Sequence, residues 1–439
     1  MLTRRKLMAA TAAAWTLGGA DAAPAAADDF VTVSNLGFLR GGRPYRFAGT
    51  NLWYGPYLGS AGPLGHRDRL KRELDTLQRL GLGNLRLLAS GEDSPLANSL
   101  KPALHGPKPP YNEELLAGLD FTLAEMGQRG MKAVLFLNNF WEWSGGMVTY
   151  QAWSNGGHFI DLGDPAHPWP EFADFSARFY ASPAAIALYE EYVAALIART
   201  NTVSGKSYRD DPAIMAWQLA NEPRPGGTSA TAPFDAFYTW IARTAAFIKA
   251  RDPSHLVSTG NEGVMGCLES ADCVLKAHAA KDIDYVTFHM WPQNWSWIDP
   301  AKLEATYESG EARCRAYIET HIKLAKTLGK PLVLEEFGFP REGGGNDPAI
   351  AASHRDRFFA MVYGALEADA KAGGPFAGTN FWAWGGEGRA LHSDFAMRPG
   401  DTSYVGDPPQ EPQGRNSVFD SDAPTLALIA AHAKRLEQI

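Results

Sequence analysis

One pattern constrains the fold more than any other. A short apolar run with a polar tip recurs eight times along the chain, alternating with amphipathic stretches. The runs are carried by GTNLWY (49–54), NLRLLA (84–89), Lys132–Leu137, Ala213–Ala220, His255–Ser258, Asp284–Phe288, LVLEEFG (332–338) and Gly378–Phe381. Helices are predicted at Asp68–Leu80, Glu113–Arg129, Pro183–Thr200, Phe234–Arg251, Glu311–Leu328, Ala349–Lys371 and Thr425–Glu437. Strands alternating with helices build a parallel sheet, and eight such units close into a (β/α)8 barrel. A doubly wound sheet would normally carry a Gly-rich phosphate turn after its first strand, and Gly49-Thr50-Asn51 is not one. Residues 28–439 therefore read as a single barrel domain, with the strand-like pieces of Phe30–Phe47 closing its floor.

Charge and composition narrow the partners. The formal net charge is −8 and no Lys/Arg run stands out, which argues against nucleic acid, anionic membrane and polyanionic substrates. A neutral substrate fits, and a monomer is expected. The N-terminus reads as a twin-arginine export signal over residues 1–27. Thr3-Arg4-Arg5-Lys6-Leu7-Met8 leads into the Ala-rich Ala9–Ala20, and small residues suited to cleavage follow near Ala23 or Ala27. The expected location is thus periplasmic or secreted. No other apolar run approaches the ~20 residues of a bilayer span. The 11 His are scattered and no Cys/His spacing suits zinc, so no metal or cofactor is expected. Cys267 and Cys273 flank a short loop and can pair in an oxidising compartment, leaving Cys314 free.

In a barrel the strand C-termini converge on one mouth. Read in order, the tips bring Asn51, Trp53, Arg86, Asn138, Asn139, Trp141, Asn221, Glu222, His289, Trp291, Glu336 and Trp382 together. Glu222 follows the apolar run Ala213–Ala220, where Pro223 ends the strand. Glu336 lies on the seventh run, opposite it. Two carboxyls facing each other suit a retaining glycosidase, which needs them about 5–5.5 Å apart. Their pKa values must then be pushed apart, with Glu222 the protonated acid and Glu336 the ionised nucleophile beside Arg86. Neighbours on a strand point to opposite faces, so only one of Glu335 and Glu336 is expected to face the mouth. Glu336 is chosen as the one nearer the rim, and Glu335 is expected to form a structural salt bridge.

These residues carry a resemblance. GTNLWY (49–54), LNN (137–139), YRDDPAIMAWQLANEPR (208–224), HMW (289–291), LVLEEFG (332–338) and FWAW (381–384) resemble glycoside hydrolase family 5, in its endo-β-1,4-mannanase branch. The resemblance covers nearly the whole chain after the signal. It implies a retaining mechanism on β-1,4-linked mannan, glucomannan or galactomannan, with Glu222 as acid/base and Glu336 as nucleophile. It further implies that Asn221 bonds the sugar 2-hydroxyl, that Arg86 and His289 support nucleophile and sugar, and that Trp382 floors the cleavage subsite. Trp53, Asn138 and Trp141 complete the expected sugar contacts.

Two features depart from the family pattern. Trp291 stands where the family usually has a nucleophile-bonding Tyr; an indole N–H donates but cannot accept, so Trp291 is expected to orient the nucleophile less tightly or to serve as a sugar-binding platform. The loops after the third and eighth strands are long, containing Trp141, Trp143, Trp153, Trp169 and GDPPQEPQGRNSVF (406–419). Such loops either extend a groove with further sugar subsites or wall off one end, as in an exo-acting β-mannosidase. A cellulase is a more distant alternative, and a catalytically silent carbohydrate-binding barrel would be expected to lack one of the glutamates.

Overall fold

The computed structural model describes residues 29–167 and 169–439, so the expected export signal lies outside the described residues. Eight parallel strands form the barrel: β1 Phe47–Asn51, β2 Asn84–Leu88, β3 Lys132–Phe136, β4 Ile214–Gln218, β5 Leu256–Ser258, β6 Val286–Met290, β7 Leu332–Phe337 and β8 Phe376–Phe381. Each pairs with its neighbours in order, and β8 pairs with β1. A parallel bridge between Ser258 and Tyr285 closes the circle between β5 and β6. Every residue of these eight strands is buried, which explains the continuous apolar runs in place of alternation.

Helices wrap the barrel, and their ends follow local chemistry. Asn112 caps Glu113–Gln128 by accepting from the Leu115 N–H, with Glu113 and Glu114 in the first turn. Ser182 caps Pro183–Ile197 in the same way, with proline at the helix start. The helix Leu303–Leu328 begins eight residues before the predicted Glu311 and ends at Gly329 in the left-handed conformation. A helix at Ala271–His278, between β5 and β6, had no counterpart in the sequence reading.

The floor is plugged as expected. An antiparallel three-stranded sheet, Val31–Ser34, Gly37–Arg40 and Arg43–Tyr45, covers the strands' N-terminal ends. Val31 and Phe38 pack there with Phe47, Met215, Tyr285 and Val333. The loop after β3 is not open chain. It folds into helices at Gly146–Ser154 and Glu171–Ala177 around Leu96, Val148, Ile160, Phe172 and Phe175. Asp407 ties the loop after β8 by accepting from the N–H groups of Gly414 (2.8 Å) and Asn416 (2.7 Å). Among the described residues, no helix is long and apolar enough to cross a membrane.

Candidate active site

The tip of β4 is fastened before it delivers its carboxylate. The Asn221 N–H donates to the Asn138 carbonyl at 2.8 Å, and the Glu222 N–H donates to the Gly260 carbonyl at 3.0 Å. Gly260 has φ +73°, and a Cβ there would meet the Ala220 carbonyl oxygen at 1.9 Å, so only glycine allows this approach. Asn261 adds a bond from Nδ2 to the Pro223 carbonyl at 2.8 Å. Glu222 itself sits in the left-handed region, at φ +50°. Strain of this kind persists where the surroundings over-determine it, as at functional sites.

Glu336 comes from the opposite wall. The register of β7 against β6 shifts between Leu334 and Glu336, which resolves the parity question. Glu336 projects at the mouth, while Glu335 accepts from Gln218 Nε2 at 2.5 Å and Tyr285 Oη at 3.2 Å inside the barrel. Glu335 thus makes hydrogen bonds and not the expected salt bridge, and burial raises its carboxyl above the ordinary range. Oxygens of Glu222 and Glu336 and a nitrogen of His289 all lie within 4.8 Å of one another.

Arg86 organises the floor between them. It is fully buried, and its Nη1 contacts Glu336 Oε1 at 2.6 Å and Asn51 Oδ1 at 3.1 Å. Its Nη2 donates to Asn221 Oδ1 and its Nε to Gln218 Oε1, both at 2.7 Å. The planar fork thereby fixes the β7 carboxylate and the β4 amide in one frame.

His289 stands between the two carboxylates. Its Nδ1 is 2.7 Å from Glu222 Oε1 and 3.3 Å from Glu336 Oε2, and its Nε2 is buried with no partner among the described residues. Burial opposes the imidazolium, but the charge of Glu336 and the bond to Glu222 raise His289 to about 10. Burial would raise Glu222 as well, yet His289, Arg224 and the Trp141 N–H, which donates to Oε2 at 2.6 Å, bring it down to about 2. The sequence makes Glu222 the protonated acid of the reaction. Before substrate binds, the donors and cations around its carboxylate favour the ionised form, with His289 as the neighbour that can hold the proton.

The cleft above is about 440 Å³ in volume, and Trp141, Trp291 and Trp382 line it. Trp291 and Trp382 meet edge to face at 6.3 Å. Trp291 makes no hydrogen bond to Glu336, so it forms wall and not a substitute for the phenol. Two expected contacts are misplaced. Trp53 is fully buried behind the wall, where its N–H donates to the Gly406 carbonyl at 2.9 Å, because the chain turns outward after Asn51 into a short helix at Gly55–Leu58. Asn138 is also fully buried, its Oδ1 spent on the Asn139 N–H at 2.8 Å.

Three ionisable groups in the cleft are not among the residues the sequence singles out. Arg224 ion-pairs with Glu262 and lies over the rings of Trp141 and Trp169, at 5.2 and 5.6 Å. Burial raises Glu262 to about 7, against the pull of Arg224. Glu411, from the loop after β8, is raised to about 8 by burial and then by Asp407. Glu262 sits in the TGNEG tip of β5, a strand-end carboxylate like the other two, so its signal was present.

Facing carboxylates at opposed strand tips, a buried arginine on one and an aromatic-lined cleft above define a glycoside hydrolase of the (β/α)8 type. The chain belongs to the family described as GH family 5 β-mannosidase-like, whose profile matches residues 28–439. It is 30% identical over 441 residues to putative mannan endo-1,4-β-mannosidase 9 of Oryza sativa subsp. japonica, covering 97% of this chain and 94% of that protein. It is 31% identical over 362 residues to mannan endo-1,4-β-mannosidase 3 of the same plant, covering 78% and 70%. Among solved structures, the glycoside hydrolase family 5 mannosidase of Rhizomucor miehei superposes with a TM-score of 0.85 at 35% identity, covering 94% of this chain and 99% of that one.

Proposed function

We propose that the protein hydrolyses internal β-1,4-mannosidic bonds of mannan, glucomannan or galactomannan with retention of configuration. The observation that carries this is the pair Glu222 and Glu336, within 4.8 Å across one cleft, close to the separation a retaining enzyme uses and too near for an inverting one. The relatives named as mannan endo-1,4-β-mannosidases support the substrate and the endo mode.

In this reading Glu336, oriented by Arg86, attacks the anomeric carbon while Glu222 protonates the departing glycosidic oxygen. A sugar filling the cleft displaces water around the His289–Glu222 ion pair, and desolvation favours the neutral pair. The proton then crosses the 2.7 Å bond from Nδ1 to the carboxylate, where the leaving oxygen needs it. In the second half, Glu222 takes a proton from water, whose oxygen attacks the anomeric carbon and frees Glu336. Trp382 and Trp291 supply apolar faces for the sugar, and Asn221, held by Arg86, faces its 2-hydroxyl.

The alternative reading, an exo-acting β-mannosidase, would rest on the long loops after β3 and β8. Leu162 and Trp169 from the loop after β3, and Pro408, Gln410 and Glu411 from the loop after β8, line the cleft. Chromatography of early products from a long mannan and from mannohexaose tests the choice. Mid-length oligosaccharides at first sampling are expected, and mannose alone from the start would overturn the endo mode. The basic, Ala-rich segment over residues 1–27 supports export, and the protein is read as acting as a monomer. Cell fractionation and light scattering test these two points.

A further inference from the structure

The turn that carries Glu262 into the cleft leaves the barrel through two cysteines that the catalytic reading does not use. Cys267 and Cys273 are both buried and both free. The Cys267 carbonyl accepts from the Ser270 N–H at 3.0 Å, and Ser270 Oγ accepts from the Cys273 N–H at 3.2 Å, so the chain doubles back. Cys273 thereby enters the first turn of the helix Ala271–His278, turned back toward Cys267. Between them, Leu268 and Glu269 are consecutive non-glycine residues at φ +55° and +62°. Two such residues in a row are an uncommon conformation, one that needs an outside constraint to persist.

We propose that Cys267 and Cys273 form an intramolecular disulfide that clamps this turn beneath the active site. The clamp has a route to the chemistry. Asn261 Oδ1 accepts from the Gly263 N–H at 2.8 Å and, in the reduced protein, from the Cys267 thiol at 3.5 Å, while Asn261 Nδ2 holds the Pro223 carbonyl next to Glu222, so the turn to be clamped is the one that carries Asn261 and Glu262. The reactive partner is Cys273: its bond with Cys267 lowers its thiol, against burial, while burial first of all pushes Cys267 up.

The bond forms by exchange with a disulfide-bearing oxidant. The Cys273 thiolate attacks one sulfur of the oxidant, giving a mixed disulfide and releasing one thiol. Cys267 then loses its proton and attacks Cys273 Sγ, forming the internal bond and releasing the second thiol. The two thiols lose two electrons and two protons, and the oxidant disulfide is reduced. In the cell this rests on the export reading, but the test does not, because it supplies the oxidant directly.

The full chain, reduced and then treated with oxidised glutathione, is denatured, alkylated and cleaved after Glu269, which separates the two cysteines unless they are bridged. A cross-linked pair of peptides is expected, with Cys314 alkylated and the melting temperature raised by a few degrees over the reduced protein. Cys267→Ser is expected to abolish the rise, and Cys314→Ser to leave it intact. Alkylation of all three cysteines after oxidant treatment, or a glutathione adduct on Cys273 without a bridge, overturns the proposal. That mapping needs no variant, so a poorly folded Cys267→Ser protein does not blunt it.

Discussion

Nδ1 of His289 lies 2.7 Å from Oε1 of Glu222, with the imidazole raised to about 10 and the carboxyl lowered to about 2. The pair therefore holds one proton across the neutral range, and the alkaline loss of activity should follow its release. In a plot of kcat/KM against pH, the alkaline limb is expected well above the ordinary carboxyl range. His289→Asn should move that limb toward acid, because Glu222 then carries the proton alone, and should lower kcat by about 10²–10⁴-fold. An alkaline limb left in place by His289→Asn would locate the proton on another group.

The two carboxylates separate by leaving group. Glu222→Gln and Glu336→Gln are each expected to reduce mannan turnover by at least about 10²–10⁴-fold without unfolding the barrel. With an aryl mannoside whose phenolate departs unaided, Glu222→Gln should recover a burst of released phenol, since only proton donation is missing. Glu336→Gln should show no burst. Activity surviving in Glu336→Gln but lost in Glu335→Gln would reverse the assignment within β7.

Much of this was legible because barrel strands are buried on both faces and so write continuous apolar runs into the sequence. The eight runs place β1 to β8 to within a few residues, and their polar tips include Glu222, His289 and Glu336. Positions just past a strand end were less legible. Trp53 and Asn138 follow their strands closely, yet the chain turns them into packing and away from the cleft, and no periodicity marks that turn. The Arg224–Glu262 pair joins two tips distant in sequence, so a charge beside Glu222 stood in the quoted motif without its partner. Glu411 arrives from a loop fixed by Asp407 and its N–H donors, a tie that exists only in three dimensions.

Arg86 is expected to matter twice. Its guanidinium is fully buried and serves Glu336, Asn221, Gln218 and Asn51 together. Arg86→Met leaves a buried carboxylate without its counter-charge, which costs about 3–5 kcal/mol of stability. Arg86→Lys keeps the charge but cannot reproduce the fork, so it should fold nearer to wild type while kcat falls sharply. Denaturant melts read beside initial rates separate the two effects. Equal losses of stability in both variants would mean that only the charge counts.

Glu262 sets the sign of a pH dependence of stability. Its folded value, about 7, lies above the ordinary 4.5, so its contribution is fully present below 4.5 and is lost as pH rises through 7. Glu222 runs the other way: lowered from 4.5 to about 2, it stabilises above 4.5 and its contribution is lost as pH falls toward 2. Melting temperature against pH should therefore carry a falling component between 4.5 and 7 that flattens in Glu262→Gln. The same slope in wild type and variant would assign that component to other groups.

Trp169 tests how far the substrate extends. It is 41% exposed at the cleft rim, stacked on Trp141 at 5.7 Å, with Arg224 over its ring. A large apolar face left in water beside the cleft has no core to stabilise, and stacking on a sugar is the use its position offers. Trp141 touches Glu222 and so belongs to the bond being cleaved. Trp169, one ring further out, therefore reaches a sugar beyond that bond. Trp169→Ala is expected to raise KM for mannohexaose by about tenfold, the equivalent of about 1.4 kcal/mol. For the shortest substrate that spans only the cleaved bond, KM should stay near wild type. A uniform rise across chain lengths would instead mean that Trp169 acts by bracing Trp141, and the cleft would end one sugar earlier.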